Sequence, residues 1–131
     1  MSNNLEEKYL KALQLEKQVF GVPHSIVANT LNRLGGIYDQ QQNYELAEQY
    51  YRQSLEMSQE LFGEEHPDVA SSMNNLASLY EVLGRDDEAE ALYIQAISIS
   101  LRVSGESDPN TTIIQCNYQS FLDERQQNNQ G

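Results

Sequence analysis

At 131 residues the chain has room for one compact domain, and two independent cores would be hard to accommodate. Eight Lys and Arg stand against 20 Asp and Glu, and the formal charge of −12 repels phosphate backbones and anionic lipid, so neither nucleic acid nor a membrane surface is an expected partner. No apolar run approaches the roughly 20 residues that span a bilayer, and the opening Met-Ser-Asn-Asn-Leu-Glu-Glu has neither the basic nor the apolar part of a signal peptide; the cytoplasm is the expected compartment.

Apolar residues recur at three and four residues throughout, which is the helical period, and no strand is predicted. The first predicted helix covers 4–20 and holds all three lysines, Lys8, Lys11 and Lys17, balanced there by Glu6, Glu7 and Glu16, so the negative excess belongs to the rest of the chain. After the breaker Gly21-Val22-Pro23 a second helix is predicted over 25–40, with Leu31, Leu34 and Tyr38 on one side, ending at Gln41-Gln42-Asn43. The third covers 44–61 and stops at Gly63-Glu64-Glu65. The fourth, 67–83, opens on Pro67, which suits a first helical position because its missing N–H would have had no partner there. The fifth, 86–103, opens on Asp86-Asp87-Glu88, whose charge favours the amide end of a helix. Gly84 and Gly105 lie just past helix ends, where glycine takes a left-handed conformation most cheaply. The sixth helix opens on Pro109 and is predicted over 109–124. The tail from Glu124 to Gly131 is polar, and residues 125–131 have too little apolar content to order themselves. Helices of about 25 Å joined by short connections must lie antiparallel to their neighbours.

The strongest signal is internal repetition. The segment 24–65 is matched by 66–107, an offset of 42 residues, the distance from His24 to His66. Phe20-Gly21 recurs as Phe62-Gly63, Val27-Ala28 as Val69-Ala70, Leu34 as Leu76, Tyr38 as Tyr80, Ala47-Glu48 as Ala89-Glu90, and Tyr51 as Tyr93. Such a period means stacked helical hairpins, an α-solenoid whose core lies between neighbours and whose long free surface holds another chain.

Within each copy, Leu34-Gly35, Tyr38, Ala47, Tyr51 and Ser54, then Leu76-Ala77, Tyr80, Ala89, Tyr93 and Ala96, resemble the tetratricopeptide pattern. The 42-residue period and the His-Pro-Asp-Val-Ala start followed by Asn-Asn-Leu-Ala resemble the kinesin light chain type of that family, over roughly residues 5–122. The resemblance implies an all-α, right-handed solenoid of antiparallel hairpins with about six helices. The domain is expected to span 1–124: a lone second-type helix at 4–20, two full repeats, and a lone first-type capping helix at 109–124, a complete short array. Small residues have a steric reason in this pattern. Gly35 with Ala47 and Ala77 with Ala89 let the helices of a hairpin approach, while Ala12, Ser54 and Ala96 let each second helix meet the following hairpin. At the ends, Leu5 and Gln119 replace small residues that have no neighbour to admit.

The resemblance further implies that the first helix of each hairpin lines a concave groove. Its groove positions are Asn29, Asn32, Arg33, Gly36, Asp39 and Gln40; then Ser71, Asn74, Asn75, Ser78, Glu81 and Val82; then Ile113, Cys116, Asn117, Ser120, Asp123 and Glu124. Asn32 and Asn74 form one column, and Arg33, Asn75 and Asn117 the next. A carboxamide both donates and accepts, so a ladder of asparagines suits the N–H and C=O groups of an extended peptide regardless of its side chains. The expected peptide site is therefore Asn29, Asn32, Arg33, Gly36, Gln40, Ser71, Asn74, Asn75, Ser78 and Asn117. Arg33 suits a carboxylate, or is paired with Asp39 or another neighbour. With each neutral bond contributing about 0.5–1.5 kcal/mol, two hairpins imply affinity near or weaker than roughly micromolar.

His24 and His66 are equivalent turn residues and do not converge on a metal, and no cofactor is indicated. Tyr38, Tyr51, Tyr80 and Tyr93 stand at core positions. Cys116, the single cysteine, cannot close an internal disulfide and has no basic cluster to activate it. Asn110-Thr111-Thr112 fits a glycosylation sequon that is not expected to be used without a signal peptide. No phosphate loop, nucleophile elbow or acid–base pair points to an enzyme. The expected function is a non-enzymatic adaptor holding an extended segment of a partner protein; the alternative is a structural protein that assembles into homo-oligomers through its terminal helices.

Overall fold

A computed structural model describes residues 2–130, with side chains from 4 to 129. Its elements are α1 (Ser2–Phe20), α2 (Ser25–Gln40), α3 (Tyr44–Phe62), α4 (Pro67–Val82), α5 (Asp86–Val103) and α6 (Pro109–Gln130). The chain divides after Gly63 into two compact units. In the first, α2 and α3 form a hairpin and α1 packs on α2; in the second, α4 and α5 form a hairpin and α6 lies against both. The architecture is the all-α array of antiparallel hairpins expected from the repeat.

Helix starts are set by one repeat position. The Nδ1 of His24 accepts the N–H of Ile26 at 3.1 Å and that of His66 accepts the N–H of Asp68 at 3.1 Å. Asp108 holds the equivalent place and accepts the N–H of Asn110 at 2.8 Å. Each bond satisfies a backbone donor that the first helical turn leaves without an intrahelical partner. Histidine is not a usual cap, so composition rules place both imidazoles merely in a turn; the structure gives them this structural task.

Helix ends repeat as well. After α4, Gly84 sits at φ 76°, with Arg85 N–H donating to the Tyr80 carbonyl at 2.8 Å and Gly84 N–H to Glu81 at 3.1 Å. After α2 the same two bonds run from Asn43 to Tyr38 at 2.8 Å and from Gln42 to Asp39 at 3.0 Å, but here a glutamine occupies the left-handed position, at φ 62°. A Cβ is strained in that region by about 1–2 kcal/mol. Gln42→Gly is therefore expected to stabilise the protein by about 1 kcal/mol, seen as a higher urea midpoint with an unchanged slope. An unchanged or lower midpoint would contradict this account of the turn.

The sixth helix departs from expectation. Residues 125–130, predicted to stay unordered, continue α6 to Gln130. Arg125 supplies the reason: it pairs with Glu90 at 3.2 Å and Asp87 at 3.5 Å and stands 5.7 Å from the Phe121 ring. Once a helix is anchored, adding further residues costs little compared with nucleating it.

The buried residues are those the period selects. Val27, Leu31, Leu34 and Tyr38 of α2 are buried, as are Ala47, Tyr51 and Leu55 of α3; in the second unit Val69, Met73, Leu76, Tyr80, Ala89, Tyr93, Ile114 and Phe121 are buried. Each large side chain so buried contributes about 1.5–3 kcal/mol. The Ser54 hydroxyl is buried and donates to the Ala28 carbonyl at 2.8 Å, joining α3 to α2 of its own hairpin. Gly35 admits Tyr51 closely, since a Cβ there would lie 2.5 Å from the ring's Cδ1. Among the described residues no helix is long and apolar enough to cross a membrane.

Candidate interaction faces

In the first unit the predicted residues ride on α2. Asn29, Arg33 and Gln40 are exposed, whereas Asn32 and Gly36 are half-buried. Arg33, Gly36 and Gln40 come together, lining an open cavity of about 260 Å³ with Leu5 and Tyr9 of α1 and Ile37. Arg33 does not pair with Asp39. Its nearest partner is Tyr9, whose hydroxyl receives a long 3.5 Å hydrogen bond and whose ring centroid lies 6.0 Å from the guanidinium carbon.

Leu5 and Tyr9 were not expected in this cavity. Tyr9 occupies the repeat position of Tyr51 and Tyr93, and Leu5 that of Ala47 and Ala89. In the hairpins those tyrosines are covered, Tyr51 by the glycines of α2, where a Cβ on Gly36 would stand 3.6 Å from the hydroxyl. In α1, by contrast, Leu5 is 46% exposed and Tyr9 half-buried. Extending the 42-residue offset back into the first helix would have marked Tyr9.

In the second unit the amide face is partly self-bonded. Asn117 of α6 donates to Asn74 of α4 through a 3.2 Å Nδ2 to Oδ1 hydrogen bond. These two were assigned to different columns, so the contact runs diagonally from one column to the next. Asn74, Asn75, Ser71 and Asn117 are all half-buried. One bond uses one donor of Asn117 and one acceptor site of Asn74, and a carboxamide has two donors and two lone pairs, so capacity remains on both.

Ser78 is hydrogen-bonded to a core tyrosine. The single proton of the Tyr93 hydroxyl goes to the Glu81 carboxylate at 2.9 Å, so at 3.1 Å Ser78 is the donor to the Tyr93 oxygen. Asp39 is the repeat counterpart of Glu81 and is hydrogen-bonded to the Tyr51 hydroxyl. Both carboxylates stand at groove positions and reach toward core tyrosines. Partial burial raises the pKa of Asp39 and of Glu81 above the ordinary carboxylate range. Burial, reinforced by Asp39, pushes Tyr51 up to about 12, and burial is likewise the main reason Tyr93 is raised. At neutral pH both phenols remain donors.

Of the remaining groove positions, Val82, Ile113, Cys116, Ser120, Asp123 and Glu124 are exposed. Among the described residues no group of His, Cys, Asp and Glu is arranged to hold a metal ion.

The family model described as tetratricopeptide repeat matches residues 4–60, 26–102 and 68–118. No curated protein sequence matches the chain. Among solved structures, that of BtubC (BKLC) from P. vanneervenii superposes with a TM-score of 0.84 at 30% identity, over 93% of this chain and 49% of that one. The present chain thus spans about half the length of that protein.

Proposed function

Because the chain belongs to the tetratricopeptide repeat family, in its kinesin light chain type, and such repeats are protein–protein interaction modules, we propose that it is a non-enzymatic adaptor that holds an extended segment of a partner protein. The segment lies against the amide-bearing faces of α2 in the first unit and of α4 and α6 in the second. The observation that carries the reading is the half-buried Asn74–Asn117 pair. Packing holds these amides in place, one bond fixes their orientation, and their unused donors and acceptors match a peptide backbone. Asn29, Asn32, Arg33, Gly36 and Gln40 extend the same polar chemistry on α2, with Arg33 adding a fixed charge.

Peptide-display selection on the intact chain tests this, run beside an Asn32→Ala, Asn74→Ala, Asn75→Ala variant shown by circular dichroism to remain helical. Each lost neutral hydrogen bond removes about 0.5–1.5 kcal/mol, so the variant is expected to bind enriched peptides at least about tenfold more weakly. Equal enrichment by both proteins would overturn the reading.

A second reading, association of copies through α1 and α6, has its motive in Leu5, Leu15 and Val19, which are 46%, 61% and 70% exposed on α1. Against it stands Gln119, which occupies the place of Gly35 and Ala77, where a second-type helix needs a small residue. Light scattering is expected to give the monomer mass across a wide concentration range; a mass that grows with concentration would favour assembly.

A further inference from the structure

Each unit has, apart from its amide face, a concavity of its own. In the second unit it is lined by Glu64, Glu65, Met73, Ser98, Ile99 and Arg102, with a volume of about 310 Å³. In the first unit the lining includes Lys17, Val22, Leu31, Glu56, Met57 and Glu60, with a volume of about 410 Å³. Val22, Leu31, Glu56, Met57 and Glu60 are the repeat counterparts of Glu64, Met73, Ser98, Ile99 and Arg102. Both concavities have an apolar floor, Leu31 with Met57 in one and Met73 with Ile99 in the other. Their charged rims differ in how the carboxylates are paired.

In the second unit one rim carboxylate, Glu65, is neutralised from within. Arg102 grips Glu65 in fork geometry, Nη2 to Oε1 at 2.6 Å and Nε to Oε2 at 3.1 Å, and also donates to the Ser98 hydroxyl. In the first unit Glu60 stands where Arg102 does, Glu56 where Ser98 does, and Pro23 where Glu65 does. Glu56 and Glu60 are exposed, are one helical turn apart on α3, and have no ion-pair partner among the described residues. Two like charges at this spacing repel, and a shared cation removes the repulsion.

We propose that the concavity in the first unit is a docking site for an arginine side chain of a partner protein. Its guanidinium bridges Glu56 and Glu60, as Arg102 bridges Glu65 and Ser98 in the sister concavity, and its aliphatic stem lies over Val22 and Met57. Arginine fits better than lysine because its planar fork can serve two acceptors while its stem covers apolar surface. Among the described residues Lys17 is the one cation lining this concavity, and it competes for the same carboxylates. The site lies outside the asparagine faces and does not depend on them.

The test is an NMR titration of the intact, ¹⁵N-labelled chain with acetyl-Gly-Arg-Gly-amide, beside the uncharged citrulline peptide. Saturable shifts are expected at Lys17, Val22 and along 53–60. They should be lost with citrulline, weakened about tenfold or more in Glu56→Gln, Glu60→Gln, and abolished in Glu60→Arg, which places a guanidinium on the rim. Lys17→Ala should tighten binding, and Glu106→Gln in the other unit should leave it unchanged. Shifts scattered over all acidic surfaces, shifts that do not saturate, or shifts that persist in the folded double glutamine variant would overturn the proposal.

Discussion

Tyr93→Ala is expected to destabilise the second unit by about 3–5 kcal/mol, as truncation of a buried aromatic does when its surroundings relax incompletely. The ring is 1% exposed, and its centroid lies 5.7 Å from that of Tyr118 and 5.6 Å from that of Phe121, both on α6. Its hydroxyl donates to Glu81 and accepts from Ser78. The substitution therefore opens a cavity between α5 and α6 and strips two half-buried polar groups of their partner. Against a total stability of about 5–15 kcal/mol for a domain, such a loss is a large fraction. Urea unfolding followed by circular dichroism measures it. Tyr93→Phe keeps the ring and loses only the hydroxyl, and is expected to cost about 1–2 kcal/mol. If the alanine variant lost no more than the phenylalanine variant, the ring would not be the joint between hairpin and capping helix.

Gly35→Ala should cost about 1–3 kcal/mol, although alanine is the better helix former by about 1 kcal/mol. The new methyl would lie 2.5 Å from Cδ1 and 2.8 Å from Cε1 of Tyr51, a ring that is 7% exposed and tethered by its hydroxyl to Asp39. Overpacking must then move a buried ring, and that outweighs the gain in propensity. The second repeat makes the prediction sharper, because Ala77 sits at the equivalent place beside Tyr93 and is 0% exposed. That hairpin has already made room for a methyl. Ala77→Gly should therefore destabilise through lost propensity and lost packing, so both exchanges of glycine and alanine cost stability. A stable Gly35→Ala variant would show that the first hairpin can take the spacing of the second.

The helices, their order and the family were legible along the chain. Helical period, breakers and start residues act through contacts within one or two turns, and a 42-residue repeat forces each copy to bury the same face. The boundaries of α2 and α5 follow from this directly, and α3 and α4 differ by a single residue. That Asn74, Asn75 and Asn117 are half-buried came from the structure.

Which side chains meet was set by packing between helices. Arg33 finds Tyr9 rather than Asp39, Asn117 bonds across columns to Asn74, and Asp39 and Glu81 accept from core tyrosines. Arg125 converts an unpromising tail into the last turns of α6 through carboxylates on α5. Each outcome depends on rotamers and on neighbours brought in from distant parts of the chain. Local periodicity specifies the face on which a residue stands, whereas its partner is chosen by whatever the next helix presents within hydrogen-bonding distance.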